Sequence, residues 1–165
     1  MKKYAWTKAV VLLLSVICFP GGNTLAMKHE WQQVVAGGLS LSVPKEWQVK
    51  IAPVNGAEFF GDGEMIGHIG YGKHDPDIPL EYHLGNHVQN YKVTKLSGYN
   101  FPEVYRYDVD RGEPAAANSN KITKQVYIFF IDKAHNTGIA LVFFKSSVDD
   151  NTIMKISKTV KLKST

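Results

Sequence analysis

Apolar and polar residues alternate along much of the chain, and this period of two predicts β-strands. The alternating or extended runs are Leu39 to Val43, Trp47 to Ile51, Ala57 to Phe60, Met65 to Tyr71, Tyr91 to Leu96 and Val104 to Val109. Asp62-Gly63 separates the third run from the fourth, and an Asp-Gly pair between apolar runs predicts a tight hairpin turn. The pattern therefore indicates a sheet of short antiparallel strands.

The two most apolar segments after residue 26 are Val126 to Ile131 and Ile139 to Phe144. Both are rich in β-branched and aromatic residues, and neither alternates cleanly, which predicts strands that are buried on both faces. Residues 132–138 join them, and they include the turn formers Asn136 and Gly138. We predict that these two segments pair as antiparallel neighbours at the centre of the sheet.

Covering both faces of such strands requires another layer, and the C-terminal region predicts a helix that supplies it. Asp149 or Asp150 is placed to cap a helix over residues 150–158. A short strand over residues 160–162 is expected to follow. The narrow apolar stripe of the helix consists of Ile153, Met154 and Ile156.

Two loops and one short helix complete the predicted order of elements. Residues 72–79 and 111–120 have the small and polar composition of loops. Residues 80–90 predict a short helix, although Gly85 in its middle disfavours it. The whole order predicts an α+β fold, a twisted, mainly antiparallel β-sheet with one or two helices packed on it.

Residues 1–26 have the order of a secretory signal peptide. Positive charge precedes an apolar run over residues 9–19, and small residues stand at positions −3 and −1 of a cut between Ala26 and Met27. The apolar run is well short of the roughly 20 residues that a spanning helix needs. We expect cleavage, export to the cell envelope or extracellular space, and no stable membrane insertion afterwards. The alternative is that the signal is retained as a membrane anchor. In either case, residues 27–165 are expected to form a single α+β domain.

Removal of the signal changes the charge and the thiol content of the chain. The chain has 19 Lys and Arg and 15 Asp and Glu, and three of the lysines but none of the acids precede residue 27. The exported part therefore has 16 bases against 15 acids, a net charge of +1. A nearly neutral domain is a poor nucleic acid binder, because phosphate neutralisation needs clustered Lys and Arg. Cys18, the only cysteine, lies in the signal, so the exported part has neither a disulfide nor a reactive thiol.

Three features of the chain resemble the PsbP-type α/β sandwich. They are the segment Ser42-Val43-Pro44-Lys45-Glu46-Trp47, the paired apolar strands, and the terminal helix and strand over Thr152 to Leu162. That fold is named for extrinsic proteins of photosystem II and is shared with a family of Ran-binding proteins. The Pro-x-x-Trp opening is also similar to that of small exported bacterial proteins of unknown function. The resemblance implies a PsbP-like sandwich in an exported setting, and it carries no catalytic residue over to this chain.

His74, His83 and His87 are the candidate metal ligands. His83 and His87 have the i, i+4 spacing that places two imidazoles on one face of a helix, which is a common metal-binding pair. Against this, Gly85 disfavours the helix, and the Glu that follows the first His in metallopeptidases is missing. One alternative is therefore a zinc-binding protein or metal-dependent hydrolase that uses these three residues, and the other is a set of ordinary surface histidines.

Tyr105, Arg106 and Tyr107 are the candidate binding residues. On a strand, the two tyrosines face one way and Arg106 faces the other. An outward tyrosine face would suit recognition of a protein or a glycan, because aromatic side chains with polar tips serve interfaces well. The alternative is that this face packs against the helix as core.

No catalytic residue is assigned, because the chain lacks the Gly-x-Ser-x-Gly elbow and the spacing of a phosphate-binding loop. We therefore expect an exported, non-enzymatic binding or accessory domain that needs no cofactor. Its expected partner is another envelope or extracellular protein.

Overall fold

The computed structural model describes residues 30–114 and 121–162 of the chain. The strands are β1 (Trp31–Ala36), β2 (Leu39–Pro44), β3 (Gln48–Ala52), β4 (Gly56–Gly61), β5 (Glu64–Lys73), β6 (Val88–Leu96), β7 (Glu103–Gly112), β8 (Ile122–Asp132), β9 (Thr137–Phe144) and β10 (Lys161–Leu162). The helix α1 spans Asp150–Thr159, and 3-10 segments of the described residues span Leu80–Leu84 and Lys133–His135. The predicted signal peptide over 1–26 and residues 115–120 of a predicted loop lie outside the described residues.

Seven of the strands form one antiparallel sheet in the order β3-β4-β5-β9-β8-β7-β6. Strands β3 to β5 and strands β6 to β9 are two meanders, and the pairing of β5 with β9 joins them. The connection from β5 to β6 passes through the 3-10 segment Leu80–Leu84 and carries the chain from the middle of the sheet to its edge. The prediction that the two most apolar segments pair at the centre is confirmed, with Ile128 opposite Leu141.

The predicted hairpin turn between β4 and β5 is confirmed at Asp62 and Gly63. Both residues have positive φ angles, 51° and 82°, and the flanking Gly61 and Glu64 pair directly across the turn. Two residues of positive φ give the turn a twist that matches the right-handed twist of the strands. Glycine adopts this backbone without the steric cost that a Cβ atom would add.

The second layer covers one face of the large sheet and consists of α1 and a three-stranded sheet in the order β1-β2-β10. The helix begins as predicted, because the Asp149 carboxylate accepts hydrogen bonds from the backbone N–H groups of Asn151 (2.9 Å) and Thr152 (3.1 Å). Ile153 and Ile156 are fully buried in the interface between the layers. The predicted sheet with a helix packed on it is thus confirmed, and the described residues contain one α-helix.

Aromatic rings fill the core between the two layers. The rings of Phe59 and Phe143 stack with centroids 5.8 Å apart, and Trp47 lies tilted against both. Phe143 lies directly over Gly67 of the neighbouring strand, where an added Cβ would come within 2.4 Å of the ring. The fit shows that Gly67 is needed for close approach of the ring to the sheet.

A second apolar cluster lies on the opposite face of the large sheet. It consists of Leu84, Tyr107, Val109, Tyr127, Phe129, Ile131 and Val142, with Leu80, Val88, Tyr105 and Ala140 partly buried against it. The 3-10 segment Leu80–Leu84 contributes to this cluster, whereas α1 belongs to the first one. Strand β8 is therefore buried on both faces, as its unbroken apolar sequence predicts.

Some predicted elements are wrong. The helix expected over residues 80–90 is a 3-10 segment of five residues, and β6 already begins at Val88. Gly85 follows the segment with a φ of 78° and a ψ of −165°, an extended backbone of positive φ that is essentially restricted to glycine and does not continue a helix. The predicted loops also lose residues to longer strands, because Gly72 and Lys73 belong to β5 and Arg111 and Gly112 belong to β7. Strand β1 was not predicted at all.

Candidate functional site

Strand β6 lies at the edge of the large sheet and is almost entirely exposed. It pairs with β7 on one side, and no strand of the described chain pairs with its other side. Its seven residues 89–95 are all exposed. An edge strand leaves a row of backbone N–H and C=O groups without a partner strand, and such a row is a template for pairing with another chain. The opposite edge strand, β3, is shorter and lies against β1.

One face of β6 carries an exposed group of apolar and aromatic side chains. Tyr91 and Val93 are 44% and 47% exposed. Lys95 follows on the same face, and its ammonium group lies 5.5 Å from the centroid of the Tyr105 ring on β7. We call Tyr91, Val93, Lys95 and Tyr105 the β6 patch. Tyr82, on the 3-10 segment that covers the same face, is 77% exposed.

Tyr107 packs against the inner side of the β6 patch. Its side chain is buried, and its hydroxyl donates a hydrogen bond of 2.9 Å to the Glu81 carboxylate. Burial, reinforced by the hydrogen bond to the negatively charged Glu81, raises the pKa of Tyr107 well above its usual value. The Tyr107 ring lies 5.8 Å from that of Tyr91 and 5.6 Å from that of Phe129, so it holds Tyr91 against the second apolar cluster.

Arg111 joins the end of the 3-10 segment Leu80–Leu84 to the sheet through hydrogen bonds. Its guanidinium donates to the backbone carbonyls of Leu84 and Asn86, to the Gln125 side chain (2.9 Å) and to the Tyr127 hydroxyl (2.6 Å). The Leu84 carbonyl at the end of the 3-10 segment accepts a second hydrogen bond, of 3.3 Å, from the Tyr127 hydroxyl. Arg111 therefore determines where the covering segment lies on the second cluster.

Arg106 faces the opposite side of the sheet, at the start of α1. It donates two hydrogen bonds to Asp108, of 2.9 and 2.6 Å, and one of 2.9 Å to Asp150. Lys145 completes the group at 3.3 Å from Asp108 and 3.4 Å from Asp150. Burial opposes ionisation of Asp108, but the hydrogen bonds and charge of Arg106, with a contribution from Lys145, hold the pKa of Asp108 below its usual value. We call these four residues the ion quartet.

A cavity of about 220 Å³ lies beside the ion quartet and extends to the β6 edge. Its lining includes Asn90, Lys92, Asp108, Asp110, Lys124 and Lys145. In the sheet, Lys92 pairs directly with Asp108, and Asp110 pairs directly with Lys124. We call this cavity the lysine cavity. It lies on the face of the sheet opposite to the β6 patch.

The three candidate metal ligands are in different surroundings. His74 is buried, and its backbone N–H donates a hydrogen bond of 2.8 Å to the carbonyl of Asn136. The His83 ring lies 6.3 Å from the ring of Phe129, and His87 lies in the turn before β6 with a φ of 63°. The expectation that His83 and His87 share one helical face is therefore wrong. Among the described residues, no three His, Cys, Asp or Glu side chains form a group that could hold a metal ion, and the zinc-binding alternative stays a prediction.

Comparison of the chain with models of protein families and with curated proteins finds no match. The resemblance to the PsbP-type sandwich therefore stays a prediction. Within residues 30–114 and 121–162, no helix is long and apolar enough to cross a membrane.

The structure separates the predicted binding residues, as strand alternation predicts. Tyr107 and Val109 of this face are buried as core, as the alternative predicts, and Tyr105 is partly buried beside them. The element that covers this face is the 3-10 segment Leu80–Leu84 and not α1. Arg106 belongs to the ion quartet on the other face. Sequence reasoning missed the exposed Tyr91 and Val93. A signal for them existed, because the residues that alternate with them, Asn90, Lys92 and Thr94, are polar or charged, and charged residues are typical of an edge strand.

Proposed function

We propose that this chain is an exported, non-enzymatic binding domain that contacts another envelope or extracellular protein through the β6 edge and the β6 patch. One observation carries the proposal: a nine-residue edge strand with seven consecutive exposed residues presents Tyr91 and Val93 to solvent. The PsbP-type sandwich and the export signal are parts of the same proposal. They rest on the resemblance and on residues 1–26.

The backbone of β6 explains how such a partner would be held. An extended segment that adds to a sheet edge gains main-chain hydrogen bonds for affinity, while alternate side-chain positions provide specificity. The bulge in the pairing with β7 lies between Val88 and Asn90, so it disturbs only the first part of the strand. Residues 90–96 pair regularly with β7, and their outer edge is the surface that we assign to the partner.

The side chains of the β6 patch add the apolar contact that an interface needs. Aromatic residues are enriched at the centres of protein interfaces, where a large ring contributes contact area at low entropic cost. Tyr91 is pre-positioned by its contact with the buried Tyr107 ring. The hydroxyl of Tyr107 is already bonded to Glu81. Of the three predicted binding residues, we therefore assign only Tyr105 to recognition, together with Tyr91, Val93 and Lys95 of the β6 patch.

Site-specific cross-linking in the producing cells tests the proposal. A photoreactive phenylalanine analogue replaces Tyr91 or Val93, and Val54, 78% exposed near the opposite edge, is the matched control position. We expect one discrete cross-linked species of higher mass from both β6 positions and none from the control. An unlabelled Val93→Pro variant should compete for the partner less well than the unlabelled parent protein, because proline lacks the backbone N–H that could donate to a pairing strand.

Two results would contradict the proposal. Equal cross-linking at Val54 and at the β6 positions would show that the contact is unspecific. A cross-linked species with the mass of two copies of this chain would show that the β6 edge binds a second copy of this chain and not a different protein. The export part of the proposal is checked separately by the mass of the secreted product, which should begin at Met27, whereas a retained anchor would leave the full-length mass in the membrane fraction.

A further inference from the structure

We infer that the partner segment is acidic, and that it places an Asp or Glu side chain in the lysine cavity when it adds to β6. This inference rests on the proposed function, since it specifies the chemistry of the segment that the β6 edge takes up. It is carried by the position of the cavity and by the charges that line it.

The cavity touches the edge where the added strand would lie. Three consecutive β6 residues, Asn90, Tyr91 and Lys92, contribute to its lining, while Lys124 and Lys145 form its inner side. Side chains of neighbouring strands that are paired directly lie on the same face, about 4.5–5.5 Å apart. A residue that pairs with Asn90 or Lys92 from outside therefore projects over the cavity, and the residues before and after it project over the β6 patch.

The charges of the cavity favour an acid at that position. Within the ion quartet, Arg106 and Lys145 balance Asp108 and Asp150 through bonds of 2.6 to 3.4 Å. Of the charged residues that line the cavity, Lys92, Lys124 and Asp110 remain, and their net charge is +1. Neither of these two lysines forms an ion pair with any residue that the structure describes. A carboxylate on the added strand would supply an ion-pair partner for Lys92 on β6, and the charge of Lys124, on the inner side of the cavity, would attract it from a longer distance.

The same charges disfavour pairing of β6 with a second copy of itself. β6 carries Lys92 and Lys95 and no acidic residue. Antiparallel self-pairing centred on Lys92 would bring two like charges directly opposite each other, which is destabilising. Lysines on an edge strand are a common device against such self-association. The edge is thus selective for a segment of opposite charge.

The inferred segment has a definite pattern. Apolar residues must face Tyr91 and Val93, and acidic residues must alternate with them to face Lys92 and the cavity. A blocked eight-residue peptide of alternating valine and glutamate is the matching probe. Its valine–glutamine counterpart has the same shape and β-propensity without the charge, and it is therefore the control.

The test titrates both peptides into isotope-labelled protein that is expressed from the full chain and isolated from the exported fraction. We expect NMR shifts confined to β6 and its neighbours, and a dissociation constant about two- to fivefold lower for the glutamate peptide. Lys92→Gln and Lys124→Gln should each reduce that difference. Asp110→Asn should increase it, because it removes a repulsive carboxylate, and Lys50→Gln on β3 is the matched control and should leave it unchanged.

The outcomes separate the inference from the proposed function. If both peptides shift β6 with equal affinity, edge binding stands and the acidic segment is overturned. If sodium glutamate alone produces the same shifts at the lysine cavity, the cavity is a site for a free anion and the inference is also overturned. If neither peptide shifts β6, the inference is overturned, while cross-linking at Tyr91 and Val93 decides the proposed function by itself.

Discussion

Arg106 and Asp108 form a two-bonded ion pair on one strand, on the face that also carries the start of α1. The guanidinium Nε lies 2.9 Å from Oδ2 and Nη2 lies 2.6 Å from Oδ1. Two parallel bonds between a guanidinium and a carboxylate determine orientation as well as attraction. Because Arg106 also binds Asp150, the pair connects β7 to the first turn of the helix.

Replacement of Arg106 by Ala should lower the free energy of unfolding by about 1–3 kcal/mol, because the half-buried Asp108 carboxylate loses its main partner. Chemical denaturation of the purified protein measures this. Lys45→Ala is the control, since the pair Lys45–Glu30 is exposed on both sides and should contribute about 0–1 kcal/mol. The double variant Arg106→Ala, Asp108→Ala should be less destabilised than the sum of the single variants, and strict additivity would contradict the assigned pair.

Gly67→Ala should destabilise the protein by about 1–3 kcal/mol, because the new methyl group would collide with the Phe143 ring and with the carbonyl oxygen of Val142. Gly72→Ala on the same strand is the matched control. An added Cβ at Gly72 meets nothing within 4 Å among the described atoms, so its effect should stay within about 0.5 kcal/mol. Thermal unfolding of the two variants should therefore differ clearly, and equal melting temperatures would show that the packing of Phe143 is misassigned.

Truncation of Phe143 or Phe129 to Ala should cost about 3–5 kcal/mol, because both rings are buried, on opposite faces of the central strands. Tyr82→Ala, which removes a ring that is 77% exposed, should change the stability little. Deletion of residues 150–165 should leave an insoluble product, since it uncovers the face on which Ile153 and Ile156 lie. A soluble deletion variant that unfolds cooperatively would contradict the assignment of the layers.

Acid should destabilise the protein in part through Asp149. The hydrogen bond from the Thr152 hydroxyl, with those from two backbone N–H groups, lowers the pKa of Asp149 below its ordinary 3.8. A carboxylate whose pKa is lower in the folded state stabilises the fold above its unfolded pKa, and this contribution is lost as the pH falls through the folded pKa. Stability should therefore fall below about pH 4. Asp149→Ala should lower the free energy of unfolding by about 1 kcal/mol at neutral pH and should make the loss of stability in acid smaller. Chemical denaturation over a range of pH measures both effects, and an unchanged dependence of stability on pH would contradict the role of Asp149.

Arg111→Ala should loosen the 3-10 segment without unfolding the sheet. The variant loses the bonds to the carbonyls of Leu84 and Asn86, so hydrogen exchange over residues 80–88 should become faster while β8 and β9 stay protected. Tyr127→Phe, which removes one of the four partners, should have a smaller effect of the same kind. Uniformly faster hydrogen exchange throughout the chain would instead show that Arg111 stabilises the whole fold and not only the 3-10 segment.

The local chemistry of the sequence was sufficient for several elements of the fold. Asp62-Gly63 can adopt the positive φ angles that a two-residue hairpin needs, and no distant contact is required for that preference. The uninterrupted apolar residues of β8 and β9 exclude an exposed position, so their central pairing followed from the pattern alone. Asp149 stands directly before the helix that it caps, and a cap acts only over the next three residues.

The tertiary structure alone decided which residues form the candidate site. Tyr91 and Tyr107 are the same residue type on neighbouring strands, yet one is 44% exposed and the other 3%, because only the inner one lies beneath the 3-10 segment. Likewise, Arg106 meets Asp150 across 44 positions of sequence, and Arg111 meets Leu84 across 27. Burial and pairing of this kind depend on the strand order and on which segment covers each face. A pattern of period two predicts a strand and shows which side chains share a face, but it gives neither the full order of the strands nor the segment that covers each face.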